Sequence, residues 1–211
     1  KLEYQIQGDP NRRGPAVYPP SSLTNNSSQT FLGITYNSSA SQNNGDAYKS
    51  FQPFGIVVKT QPWWSSSTPS TYPHNQPSGW SGGTWVPGTY TGSSSLGGVS
   101  GEWLKLQTSV AIQPTSFKII TAGVWRSFNP LADEIPKDWT ILGSNDDINW
   151  TNLGNFTLPS GWTHGDDIID NLTISTSYTY FAVVLKRRNA SSSSGPYGSL
   201  FVPNINFILD R

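Results

Sequence analysis

The chain has 211 residues, 35% of them hydrophobic and only 12% charged, with 20 Gly, 16 Pro, no Cys and no Met. Thirteen basic residues balance 13 acidic ones, so no global field draws the protein to nucleic acid or to an anionic membrane, both of which select a basic excess. Without thiols neither disulfides nor thiolate metal sites can form; stability rests on core burial and sheet hydrogen bonds, and the lack of disulfides leans towards assembly in a reducing cytosol.

A chain of this length suits one large all-β domain, and its wealth of Gly, Pro, Ser, Thr and Asn suits short strands and turns rather than helices. No run of 18 apolar residues occurs, and the opening KLEYQIQGDPNRRGPAVYPP has no apolar core of signal-peptide type, so no membrane insertion is expected. In chain order, residues 1–30 come first. With Pro10, Pro15, Pro19 and Pro20 followed by SSLTNNSSQT, they cannot bury enough surface to fold alone. They read as an extended arm, either mobile or laid on a neighbouring surface by Tyr4, Ile6, Val17, Tyr18 and Leu23.

The domain proper is expected over 31–211. FLGITY and FGIVVKT are β-rich runs parted by SSASQNNGD, with its turn-forming Asn44-Gly45, and both read as strands. Residues 60–101 are then dominated by Ser, Gly, Thr and Pro, with Trp63, Trp64, Tyr72, Trp80, Trp85 and Tyr90 spaced through them. So long a segment without a strand pattern in a compact domain is usually functional or covers another surface.

Six further strands are predicted in GEWLKLQTSV, TSFKIITAGVW, DWTILGS, NWTNLGNF, YFAVVLKRR and NINFILDR, each apolar or alternating and bounded by turn residues. Asn145-Asp146-Asp147-Ile148 reads as the turn of a hairpin, and LADEIP is the one place for a helical turn. Short antiparallel strands at this spacing point to a sandwich. Its core is expected to hold Trp103, Leu104, Leu106, Phe117, Ile119, Trp139, Ile141, Phe181, Val183, Leu185, Ile205 and Phe207, with Trp150 also in the interior. The run Lys186-Arg187-Arg188 reads as a solvated strand end.

The runs GEWLKLQTSVAIQPTSFKII, DWTILGSNDDINWTNL, ISTSYTYFAVVLKRRNA and VPNINFILDR together resemble the discoidin-like, or F5/8 type C, domain, over about residues 47–211. AYKSFQPF resembles that family's opening, and the Gly-Ser-Asn-Asp hairpin followed by Trp-Thr is the most specific of the motifs. The resemblance implies an all-β, antiparallel jelly-roll sandwich of the galactose-binding-like class, its first and last strands close together. The version found here is similar to copies encoded by large DNA viruses of algae and protists, which places virion proteins among the candidates. In glycan-binding members certain acids help hold a structural calcium. Here Gln52-Pro53 stands in place of the family's Asp-Gly, and Asn206 where many members carry Glu, so the charge and oxygen ligands such an ion needs are reduced. No cofactor is expected.

The two histidines, His74 and His164, stand apart with no zinc-type spacing, and no GxSxG elbow appears. HGDDIIDN reads as a solvated acidic turn rather than half of a glycosidase carboxylate pair. Seven N-x-S/T sequons, at Asn25, Asn26, Asn37, Asn149, Asn155, Asn171 and Asn189, carry no argument for secretion in a chain this rich in Ser and Thr.

Nine Trp, nine Tyr and nine Phe are the informative excess, because aromatic faces bury the C–H surfaces of sugars. A ligand-binding rim is therefore expected from segment 60–101 and the loops around Arg126 and His164, using Trp63, Trp64, Trp80, Trp85, Trp125, Arg126, Trp162 and His164. These readings make the chain a non-enzymatic carbohydrate-recognition or host-attachment module, on a virion surface or extracellular. Its alternative is a structural virion component whose arm and loops bind capsid proteins or further copies of itself.

Overall fold

The structure, a computed structural model, describes residues 16–42, 44–51, 64–65, 71–72, 84, 86–120, 135–160, 167–189, 201–202 and 204–209. In chain order its strands are β1 (Ala16–Tyr18), β2 (Gln29–Phe31), β3 (Ile34–Ala40), β4 (Trp64–Ser65), β5 (Ser95–Leu96), β6 (Val99–Ser100) and β7 (Glu102–Ile112). There follow β8 (Ser116–Ile120), β9 (Pro136–Ser144), β10 (Thr151–Thr157), β11 (Asp167–Asn171), β12 (Tyr178–Arg188), β13 (Phe201–Val202) and β14 (Asn204–Leu209). Asn44–Ser50 forms a 3-10 segment after β3.

Two antiparallel sheets face each other. One has the order β1-β14-β8-β11, the other β10-β9-β12-β7-β3-β2, and β4 with β13 and β5 with β6 form two small ribbons. The expected all-β antiparallel sandwich is the observed fold, with the first strand paired to the last through Ala16↔Leu209 and Tyr18↔Phe207.

The period-2 rule explains the core. On β7, Leu104 and Leu106 point inward while Lys105 and Gln107 point out; on β12 the inward residues are Phe181, Val183 and Leu185. Phe117 meets Trp139 edge-on at 6.3 Å, and Phe181 lies 4.8 Å from Phe207 between ring centres, so aromatic pairs join the layers. Burial of such rings is the main favourable term in a fold without disulfides, about 25 cal/mol per Å² of apolar surface.

Several expectations are corrected. Trp103 alternates with Leu104, so it cannot share the inner face; it lies half-buried on the outer face of the larger sheet, and Trp150 joins it there. Their cluster is built on Leu142, Ala182 and Val184, fully covered outer positions of β9 and β12. The hairpin β5–β6 supplies Leu96 and Val99 to it, turning through Gly97 and Gly98 at φ 57° and 77°. Two successive positive φ angles are the demand of a two-residue primed hairpin turn, which glycine meets without strain. That second layer is why FAVVL is a continuous apolar run: the centre of β12 is buried on both faces.

Strand structure begins at Ala16, not Phe31. Tyr18 and Leu23 are buried, and β2 is an edge strand of the larger sheet, because backbone pairing to β14 and β3 offsets the polar composition. Within HGDDIIDN, Asp167–Asn171 is strand β11 paired to β8, and burial raises the Asp170 carboxyl above its ordinary value. The basic run is not a solvated end either: Arg188 is buried, Arg187 pairs with Asp138, and Lys186 donates to Asn155 Oδ1 at 3.2 Å. Tyr4 and Ile6, FGIVVKT and LADE of LADEIP lie outside the described residues.

The hairpin between β9 and β10 is present, and its Asp146 explains the Gly-Ser-Asn-Asp motif. One carboxylate oxygen accepts from the Ile148 and Asn149 backbone N–H groups at 2.9 and 2.7 Å, the other from Asn149 Nδ2 at 2.7 Å. These bonds hold the carboxyl far below the usual carboxylate range. The acid is spent on closing the turn.

Candidate functional site

The register gathers the strand ends into two groups. At one end Ser116 and Asn171 are partners, Thr115 N donates to Ile208 O, and Tyr178 faces Ile112. Gln113 Nε2 donates to Ile174 O at 2.8 Å, joining this end of the two sheets. The connections here are short: 113–115, 145–150 and 172–177.

At the other end Ile120 faces both Asp167 and Asn204, while Ala40, Glu102, Arg188, Pro136 and Thr157 terminate strands of the larger sheet. The buried Ser50 hydroxyl donates to Val202 O at 2.8 Å and joins the 3-10 segment after β3 to the β4–β13 ribbon there. Ile120, Ile135, Ser160, Asp167, Asn189 and Phe201, which flank segments 121–134, 161–166 and 190–200, therefore belong to this one end.

The long segment 60–101 is anchored at the same end. Thr71-Tyr72 and Val86–Thr91 dock on the end of β12: Tyr72 donates its hydroxyl to Leu185 O at 2.9 Å, and Arg188 Nε donates to Tyr72 O at 2.7 Å. Tyr90 N donates to Lys186 O, Thr91 N to Thr71 O, and the Tyr72 and Tyr90 rings are tilted at 5.2 Å. Gly101 lets β7 start directly beneath them, because a Cβ there would collide with Leu185 O.

Below this anchor sits Glu102, wholly buried on the inner face. Burial pushes its carboxyl up to about 7, and the nearby Thr71 side chain offsets that only in part. Its backbone N–H donates to Tyr72 Oη at 3.3 Å. The sequence reading missed Tyr72, Glu102 and Arg188 as a group. Each looks ordinary in its own segment; only an interior position makes a Glu and an Arg informative.

Of the sequence-predicted site residues, Trp63, Trp80, Trp85, Trp125, Arg126, Trp162 and His164 lie outside the described residues. Trp64 opens β4, and its backbone pairs with Val202. The structure thus fixes where the flanking chain meets the sandwich. Among the described residues no group of three or more His, Asp or Glu side chains could hold a metal ion. Asn206 is buried and donates its amide to Ile205 O at 2.9 Å, a neutral group in place of the acid a hard cation favours. Among the same residues no helix is long and apolar enough to cross a membrane.

A second surface has side-chain geometry throughout. On the outer face of the larger sheet, Lys105 Nζ lies 5.4 Å from the Trp103 ring centre and 5.8 Å from that of Tyr180, and bonds both Asp147 oxygens at 2.7 and 2.6 Å. Trp150 meets Tyr180 edge-on at 6.5 Å. Gln107 Nε2 donates to Tyr180 Oη at 2.9 Å, and Asn37 Nδ2 to Gln107 Oε1 at 3.2 Å.

No family model matches the chain, and no curated protein matches it in sequence. Solved structures do match in shape. The family 32 carbohydrate-binding module of Streptococcus pneumoniae EndoD aligns with TM-score 0.50 and 12% identity over 83% of this chain and 94% of that one. A family 32 module, CBM32-3, from a family 31 glycoside hydrolase of Clostridium perfringens aligns with TM-score 0.50 and 8% identity over 82% and 88%. An F5/8 type C domain of a Bacteroides fragilis protein follows at TM-score 0.49 and 10% identity, over 90% and 99%. At these identities the likeness concerns the fold. The chain is an antiparallel, galactose-binding-like β-sandwich, the fold it shares with the two family 32 modules.

Proposed function

We propose that the protein is a non-catalytic carbohydrate-recognition module acting outside the cell, and that its glycan meets a rim made by Trp63, Trp64, Trp80, Trp85, Trp125, Arg126, Trp162 and His164. The supporting observation is the convergence of anchors: Tyr72, residues 86–91, Ile120, Ile135, Ser160 and Asp167, which flank Trp-bearing segments, belong to one end of a rigid sandwich. Loops on a rigid sheet frame commonly carry recognition, and rings beside a few fixed polar groups suit a ligand with C–H faces and hydroxyls. The shared fold agrees with this reading, although a fold alone assigns no function.

A glycan array on the isolated chain, followed by titration of the best ligand, tests it. Trp80→Ala or Arg126→Ala is expected to weaken binding at least several-fold with Tm nearly unchanged, since a stacked ring and a charged hydrogen bond each contribute on the order of 1–3 kcal/mol. If both substitutions unfold the domain, these residues are packing groups and the rim is wrong. Native mass measurement on the same sample separates the alternative: assembly without any glycan ligand would favour a structural virion component.

A further inference from the structure

The outer face of the larger sheet offers a second place where this chain can meet a ligand, and its chemistry can be read residue by residue. The register sets Asn37, Gln107 and Tyr180 in one row across β3, β7 and β12, and Ser39, Lys105 and Ala182 in the next. Trp103 and Val184 form a third row towards the start of β7. Ala182 and Val184 are covered by the second apolar layer, so the open part spans three strands in the first row and two in the second, about 10 Å by about 7 Å, the footprint of a sugar ring, with Trp103 at its edge. Asn37, Ser39, Gln107, Lys105, Trp103 and Tyr180 are all half-buried, neither sealed in nor freely solvated.

Three features of the face select among occupants. Its rings, Trp103 and Tyr180 with Trp150 beside them, are fixed by packing and by hydrogen bonds, so little side-chain freedom is lost on contact. Its polar groups are carboxamides and hydroxyls already held in orientation by the Asn37–Gln107–Tyr180 chain of bonds. The cation at its centre, Lys105, is already paired with Asp147, and Lys186, farther along β12, is held by the neutral Asn155 Oδ1. At the centre of the face a charged partner therefore meets no unpaired charge.

From this juxtaposition we propose that the face formed by Asn37, Trp103, Lys105, Gln107 and Tyr180 is a second contact surface for a neutral, hydroxyl-rich polysaccharide, separate from the loop rim. The inference rests on the carbohydrate reading of the module, not on the rim. A chain binding the rim with one sugar and this face with another would be held more tightly than a monosaccharide, because the second contact is intramolecular.

The test is native gel retardation by soluble neutral polysaccharides (galactan, mannan, xyloglucan and mixed-linkage β-glucan), with alginate as the anionic control. Wild type is expected to be retarded by at least one neutral polymer and by alginate less. The double variant Asn37→Ala/Gln107→Ala and, separately, Tyr180→Ala should each lower that retardation at least five-fold, with Tm recorded to confirm folding. Binding of the small glycan found on the array should be unchanged in both, and weakened at least several-fold in Trp80→Ala. Unchanged retardation in the folded face variants, or no retardation of wild type by any neutral polymer, overturns the proposal. Loss through the face variants with no effect of Trp80→Ala or Arg126→Ala upholds the face and sinks the rim.

Discussion

The two ends of the sandwich solve different problems. At the end with short connections Asp146 closes its own hairpin, Asn145 accepts from Thr179 N at 3.0 Å while donating to Ser177 O at 3.1 Å, and the compact connections bond their neighbours, Gln113 to Ile174 O and Thr115 N to Ile208 O. At the opposite end long segments are held by partners more than a hundred positions away, Tyr72 with Leu185 and Arg188 with Tyr72, above a buried Glu102. One end is closed by compact turns and spends its polar groups on stability. The other accepts buried polar and ionisable groups, a costly choice unless they are hydrogen-bonded, and it is the end from which the Trp-rich segments depart. The difference teaches that the frame and its display end are separable, so changes should fall into distinct classes.

The largest effect should come from the shared core. Phe181, buried between Tyr178 at 6.2 Å and Phe207 at 4.8 Å, should cost about 3–5 kcal/mol when changed to Ala, in urea unfolding, as large aromatic truncations in cores do. A cost below about 1 kcal/mol would mean that the frame does not depend on this layer.

A middle-sized effect distinguishes the display end by its pH dependence. Glu102 has its folded pKa raised from an ordinary 4.5 to about 7, so its contribution to stability is complete below about 4 and is lost as pH rises through 7. Between pH 5 and pH 8 the wild type should therefore lose on the order of 1–3 kcal/mol from this group, and Glu102→Gln should flatten that part of the profile. Parallel profiles for the two proteins would show that the carboxylate is accommodated without penalty, and the contrast between the ends would weaken.

The smallest effect belongs to the short-connection end. Lys105 and Asp147 form an ion pair with side chains 15% and 36% exposed, for which a double-mutant cycle with Lys105→Ala and Asp147→Asn should give a coupling of about 0.2–1 kcal/mol, falling with added salt. Asn is chosen because Asp147 has φ 60°, a conformation Asn tolerates. A salt-independent coupling above about 2 kcal/mol would place this pair among the frame's main supports.

Much of the frame was legible beforehand. In β7, β8, β9, β12 and β14 the inward residues follow from alternation alone, since successive side chains point to opposite faces. The exceptions are instructive. Trp103 and Trp150 lie on strands of the resembled pattern, which implies an interior place, but alternation puts them on the outer face, where the β5–β6 hairpin gives them a second apolar layer. Strand β11 escaped notice because DDIID carries three acids, and its pairing is supplied by β8. Arg188 was read from its neighbours Lys186 and Arg187 as solvated; the carbonyl it binds belongs to Tyr72. The anchors Tyr72 and Glu102 are hidden for the same reason, while the rim residues stand out by their loop-like surroundings and their aromatic and polar chemistry.

What the sequence by itself determined is therefore the set of strands with a clean two-residue period, the inward face of each, the hairpin turn at Asp146 and the all-β class, because these depend on spacing within a few residues. Only the tertiary structure decided which outer faces are covered, that residues 16–31 join both sheets, and that Glu102 and Arg188 are interior. Burial of a polar group is a property of what the distant chain brings against it, and no local pattern contains that information.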